Sequence, residues 1–250
     1  VAGESGEIDA AVKHEAERDK EFLYQGYDST CLVELDEEPP HLINQEALEI
    51  TLHVAFLLHC EIVPITQVMR KIVIDGSNTS GFQRTCLIAR NGFVDTQDGK
   101  VRIENISLEE DAARIIEKED GKTIFRLDRL GIPLIEIGTA PDIHSPEHAK
   151  ETALALGDIL RSCKVKRGIG TIRQDVNISI PNHPRVEIKG FQDVKMFVPT
   201  IINEIKRQKE NITNKKTQSE VRNALVDAKT EFLRPMPGSA RMYPETDVPL

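Results

Sequence analysis

Residues 81–108, GFQRTCLIARNGFVDTQDGKVRIENISL, alternate apolar and polar side chains and are punctuated by Asn91-Gly92 and Asp98-Gly99. Short alternating runs separated by Asn-Gly or Asp-Gly are the pattern of antiparallel strands joined by tight turns, so a meander is expected here. Outward from it, RKIVIDG (70–76) reads as a short strand closed by Asp-Gly, and TIFRLDR with IPLIEIG (123–138) as a further strand pair. TIRQDVNISI (171–180) and RVEIKGF (185–191) read as two strands joined by Pro-Asn-His-Pro, and Thr30 to Leu35 as another strand. Helices are expected over 11–25, over 44–60 with Asn44 as N-cap, and from Ser145-Pro146-Glu147 to Cys163, where Ser145 caps and Pro146 takes the first helical position. A helix from Val194 to Lys209 and a polar, basic helical segment over 211–229 follow, before a tail with four prolines in RPMPGSARMYPETDVPL. Strands in hairpins with helices between them give an α+β class, a mainly antiparallel sheet with flanking helices.

The 250 residues are 39% hydrophobic and 29% charged, which suits a globular chain with a sizeable core and excludes disorder as the main state. Trp is absent and aromatic residues make up 4%, so the core must be aliphatic. The most apolar stretch, Leu52 to Leu58, is far shorter than the roughly 20 residues of a membrane span, so no membrane partner is expected. Cys31, Cys60, Cys86 and Cys163 form no C-x-x-C pair and no disulfide-dense pattern, which favours a reducing, cytoplasmic setting. The opening VAGESGEIDA lacks Met and secretory features, and the chain is read as a fragment of a longer protein.

The net charge of -9 argues at first against a nucleic-acid partner, but it is unevenly spread. Residues 1–61 carry 15 acidic and 3 basic side chains, whereas 62–250 carry 26 acidic and 29 basic ones, net +3. Arg161 to Arg222 holds 14 basic against 6 acidic residues, either a phosphate-facing stretch or a solvated surface.

Four clusters stand out for chemistry. Glu109, Glu110 and Asp111 are consecutive carboxylates, which repel unless a cation, an arginine or water compensates, or unless they open a helix whose dipole offsets them. Glu136 lies inside the apolar run 132–137 and is costly there unless paired, bound to metal or turned to solvent. Period-2 alternation puts Arg173, Asp175 and Asn177 on one strand face and Glu187 with Lys189 on another, forming either a binding floor or a salt-bridge ladder. DGSNTSGFQRT (75–85) is a hydroxyl-rich loop able to hold an anion, although it is no Walker motif.

Together RKIVIDGSNTSGFQRT, LEEDAAR, FRLDRLGIPLIEIGTAPDI, IRQDVNISI, VEIKGF and RMYPETDVPL resemble the GatB/GatE family of tRNA-dependent amidotransferase subunits, most strongly its archaeal branch. The resemblance implies a cradle-type catalytic domain over 1–210, lacking its N-terminal segment. Residues 211–250 would be a basic helical segment and Pro-rich linker leading to an inserted domain outside the chain. It also implies ATP and Mg2+ as cofactors, tRNA(Gln) charged with glutamate as substrate, and an ammonia-producing amidase or asparaginase partner of the GatD type. The γ-carboxylate of the glutamyl group would be phosphorylated and then amidated, and the fragment alone would be inactive or very weak.

By motif, Glu109 or Glu110 and Glu136 match acidic positions of the family's metal site. Asp128, Arg129, Arg173, Asp175, Asn177, Glu187 and Lys189 fall in its catalytic pocket motifs. Arg173 and Lys189 are expected to meet phosphoryl charge, and Ser77, Asn78 and Thr79, with Arg84 and Glu187, to bind substrate. The family's G-L-E-x-H-Q type opening, whose His belongs to the metal site, has no counterpart here. Two other functions compete: a non-catalytic tRNA-binding or scaffold module, and an unrelated metal-dependent carboxylate ligase.

Overall fold

The computed structural model describes residues 8, 13, 21–119, 121–191, 193–212, 217–238 and 242–248. The hairpin anticipated around Asp98-Gly99 is its backbone. Strand β4 (Phe82–Thr96) and strand β5 (Gly99–Glu110) pair antiparallel along nearly their whole length, from Thr96 opposite Gly99 to Thr85 opposite Glu109. Gly99 has φ +118, a conformation that a side chain resists, so glycine closes the turn.

Strands β2 (Glu61–Ile62), β3 (Met69–Ile72), β8 (Pro133–Thr139) and β13 (Met242–Pro244) extend this hairpin into a six-stranded sheet of order β13-β3-β4-β5-β8, with β2 on β4. A second sheet contains β9 (Val176–Ile178), β10 (Val186–Lys189), β11 (Glu220–Ala224) and β12 (Thr230–Pro235), in the order β12-β11-β10-β9. A third joins β1 (Glu21–Gln25), β7 (Lys122–Arg126) and β6 (Arg114–Glu119). Most pairings are antiparallel, the exceptions being β1 with β7 and β10 with β11.

Among the described residues three helices lie against these sheets. Helix α1 (Gln45–Leu57) is capped by Asn44, whose side chain accepts from the Ala47 N–H at 2.9 Å, and α2 (Pro146–Ser162) by Ser145, which accepts from His148 N–H. Both pack on one face of the six-stranded sheet, burying Val54, Ala55, Leu58, Ala89, Val101, Ile103 and Ile106 with Ile159 and Leu160. Ala149 and Ala153 of α2 instead meet the second core, formed by Ile178, Val186, Ile188 and, from helix α3 (Phe197–Asn211), Phe197 and Ile201. One helix thus ties the two larger sheets together.

Five local expectations are corrected. Asn91-Gly92 is no turn but lies inside β4, because Gly92 lets the end of α1 approach: a Cβ there would collide with Cys60 Sγ and the Leu58 carbonyl, and Phe93 N–H donates to that carbonyl at 2.8 Å. Residues 21–25 are a strand, not the end of a helix, since β7 offers them a parallel partner; the rest of 11–25, apart from Lys13, lies outside the described residues. Thr30 to Leu35 forms turns. The 123–129 and 132–138 runs do not pair with each other, because a one-turn 3-10 helix at Leu127–Arg129 sends β7 and β8 to different sheets. The helical reading of 211–229 fails over 217–229, because β11 pairs with β10 and β12, contacts that composition does not reveal, while 213–216 lie outside the described residues.

Gly92→Ala is expected to lower stability by about 2 kcal/mol through overpacking against main-chain atoms. Gly26→Ala, where the nearest atoms are 3.8 Å or more from a Cβ, should be nearly neutral in the same urea titration. Equal midpoints for the two variants would contradict the close approach of α1.

Candidate active-site cleft

A strand turns successive side chains to opposite faces, so Glu109 and Glu110 cannot share a site. Glu110 points to the face that carries the apolar core, where Arg84 of β4 holds it with both guanidinium arms while donating to the His41 carbonyl. A cavity of about 250 Å3 opens beside this pair, with Asn78, Thr79, His41, Arg84, Glu109 and Glu110 in its wall. The hydroxyl loop at its edge is internally satisfied: Ser77 donates to Asp75, and Thr79 Oγ1 to the Glu34 carbonyl at 2.8 Å. These loop residues make no hydrogen bond to Glu136 or Lys189, but Asn78 and Thr79 share the cavity wall with Arg84, Glu109 and Glu110 of the predicted site.

Glu109 points the other way. Its carboxylate is buried, pairs with Lys71 of β3, and lies beside Glu136, which sits opposite Ser107 on the neighbouring strand β8. Glu136 is exposed at the surface, with Lys189 of the second sheet near enough to act on its charge. Loss of surrounding water, then the neighbouring Glu109 charge, raise its carboxyl from an ordinary 4.5 to about 7, against the pull of Lys71 and Lys189.

Lys189 enters the cleft from β10. Its ammonium lies 2.7 Å from Asp175 and 2.9 Å from Glu187, and these carboxylates outweigh the burial that opposes its charge, so its pKa is raised. Asn177 pairs with Glu187 across β9 and β10, which puts Asp175, Asn177, Glu187 and Lys189 on one polar face while Val176, Ile178, Val186 and Ile188 pack inward. The polar face read from alternation is therefore present without Arg173, and Lys189 bridges it to Asp175 and Glu187 as a salt-bridge ladder would.

Arg173 precedes that strand and bonds instead to Asp111 at 3.0 Å. Arg129 reaches the same carboxylate at 3.7 Å and donates to the Ala112 and Ala113 carbonyls. Asp128 stays outside this group, held by Arg126 through two bonds of 2.7 Å. Lys71 joins the site without having been expected there, and Asp111, singled out only as part of the carboxylate run 109–111, gathers the two arginines. Lys71 is detectable by alternation, since it lies opposite Gln83 on the face of Thr85 and Glu109.

The cleft thus runs Lys71, Glu109, Glu136, Lys189, then Asp175 and Glu187. Among the described residues no three acidic, His or Cys side chains gather around one point. Two neighbouring carboxylates, one of them short of cations, still suit Mg2+, which commonly takes one or two protein carboxylates and completes its shell with water and phosphate oxygens.

A sequence model of the "GatB/GatE catalytic domain" matches residues 7–250. The chain belongs to this family. It is 56% identical over 207 residues to a glutamyl-tRNA(Gln) amidotransferase subunit of Methanocaldococcus jannaschii, covering 82% of this chain and 33% of that protein. The like-named protein of Archaeoglobus fulgidus is 53% identical over 227 residues, 90% of this chain and 37% of the relative. That of Thermococcus sibiricus is 56% identical over 209 residues, 82% and 33% of the two chains. The chain spans about a third of the length of the curated relatives it matches. No helix among the described residues is long and apolar enough to cross a membrane.

The raised carboxyl of Glu136 fixes a sign for stability. Between 4.5 and about 7 the folded chain holds a proton that the unfolded chain has released, so this group's contribution falls as pH rises through that window. In metal-free buffer, Glu136→Gln should therefore gain thermal midpoint relative to the parent from pH 4.5 to pH 7.5. A constant difference would contradict the assignment.

Proposed function

We propose that this chain is the catalytic part of a tRNA-dependent glutamyl amidotransferase subunit. In this reading a γ-carboxylate oxygen of glutamate esterified to tRNA(Gln) bonds to the terminal phosphorus of ATP, and ADP leaves. Ammonia from a partner amidase or asparaginase subunit then bonds to the acyl carbon, phosphate departs with the electrons of the C–O bond, and one N–H proton passes to solvent. The product is Gln-tRNA(Gln).

The observation that carries the reading is the side-by-side placement of Glu109 and Glu136 opposite Lys189 in a GatB/GatE chain. Bringing an anionic carboxylate to a triphosphate needs positive charge at the meeting point. Lys189 is held cationic by Asp175 and Glu187, which supports a role at the transferring phosphoryl group. Arg173 and Arg129, gathered on Asp111, add positive charge near the same end of β5. Glu109 and Glu136 are the residues that would hold Mg2+. When bound, the ion screens the two anions from each other and offsets charge that develops on the phosphoryl oxygens. Lys71 neutralises Glu109 in its absence and keeps the two carboxylates from repelling the strands apart.

The test uses the full-length subunit with its ammonia-producing partner. ATP hydrolysis should rise on addition of Glu-tRNA(Gln), and Glu136→Ala should lower the stimulated rate by about 10- to 100-fold. Undiminished stimulation in that variant would overturn the assignment. Salt-dependent RNA binding with no ATP turnover in the parent complex would favour a binding module instead.

A further inference from the structure

The segment joining α2 to β9 reaches the cleft only at its last residue. From 161 to 173, RSCKVKRGIGTIR, the charged residues are Arg161, Lys164, Lys166, Arg167 and Arg173, all basic and all exposed. Part of this charge is explained locally. Arg161 bonds Asp158 at 2.6 Å, Lys164 pairs with Glu46, and Arg167 donates at 2.7 Å to the Arg161 carbonyl at the end of α2, where a cation is favoured. Lys166 has no partner among the described residues.

Beyond it the backbone takes left-handed turns at Gly168 (φ +137) and Gly170 (φ +79), and Thr171 Oγ1 closes on the Gly168 carbonyl at 2.8 Å. Between the two glycines Ile169 is held fully in solvent, at 107% of its reference exposure. Arg173 then ties the loop to Asp111, two residues beyond Glu109 in the chain.

We propose that the loop 164–171 grips the acceptor end of the aminoacylated RNA, with Lys166 and Arg167 at phosphates and Ile169 against an unstacked base near the 3′ terminus. This rests on the function proposed above. Chemistry and place both support it. A run of basic side chains without a single acidic one selects a polyanion, and an apolar side chain projecting between cations and a glycine turn is the form of a wedge against a base face. A single-stranded RNA end offers such faces beside its phosphates. A protein partner would call for a wider apolar surface than one isoleucine. Two residues past the loop Arg173 bonds Asp111, which follows Glu109 by two positions, so the loop's C-terminal end leads toward the carboxylates where an esterified glutamate must arrive.

The test compares Ile169→Ser, Lys166→Ala and Lys166→Arg with the parent, each as the full-length subunit with its ammonia-producing partner. KM for Glu-tRNA(Gln) and kcat are measured between about 50 and 200 mM salt. Ile169→Ser should raise KM about fivefold or more, with kcat changed less than about twofold. Lys166→Ala should raise KM and flatten the salt slope by about one, and Lys166→Arg should restore it. Parent-like KM and slope in the Ile169→Ser and Lys166→Ala variants, in an RNA-dependent enzyme, would overturn the loop assignment alone. A parent enzyme indifferent to RNA would overturn the underlying function and the inference with it. Unchanged KM with weakened retention of the partner protein in Ile169→Ser would make the loop a protein contact, contrary to the proposal.

Discussion

The alternation of side chains at the end of β5 is the constraint on which the rest of the site depends. Glu109 and Glu110 are neighbours in sequence, and an extended strand sends them to opposite sides of the sheet. Each face then demands its own compensation. On the core side Arg84 meets Glu110 with a bidentate pair, and on the cleft side Lys71 meets Glu109. Because both arginine and lysine come from strands adjacent in the same sheet, the register of β3, β4 and β5 fixes both pairs together.

The two sheets are brought into position by apolar packing rather than by the charges. Helix α2 contributes Ile159 and Leu160 to one core and Ala149 and Ala153 to the other, so the distance from β8 to β10 follows from how one helix seats in two places. Across that gap Lys189 acts on Glu136 without neutralising it, because its own ammonium is occupied by Asp175 and Glu187. The cleft is left with a carboxylate pair that has one close cation. Such a site suits a positively charged guest, whereas a structural network would have been completed internally.

Much of this is legible in the sequence because the signals are local. Asn44 and Ser145-Pro146 mark helix starts, Asp98-Gly99 marks the hairpin, and period-2 spacing gathers Asp175, Asn177, Glu187 and Lys189. The failures share a cause in long-range contact. Gly92 imitates a turn glycine but serves the approach of α1, and the polar segment near 220 becomes a strand only because β10 lies alongside. Glu110 is indistinguishable from Glu109 until the facing arginine is known. Lys71 escapes notice because a lysine in a short apolar strand resembles a solvated edge residue. Arg173 follows the strand pattern in sequence, yet the chain is still a loop at that point and turns it toward Asp111.

Glu109 and Glu136 lie side by side with Lys71 as their one close cation, and everything proposed for the chemistry follows from that placement. Carbon-13 NMR titration of the Glu136 carboxyl in metal-free protein tests it most directly, in the parent and in Glu109→Gln. The expected parent midpoint is about 7, moving down in the variant while staying above 4.5, since loss of water persists when the neighbouring charge is gone. A parent midpoint near 4.5, or one unmoved by Glu109→Gln, would contradict the shared cleft.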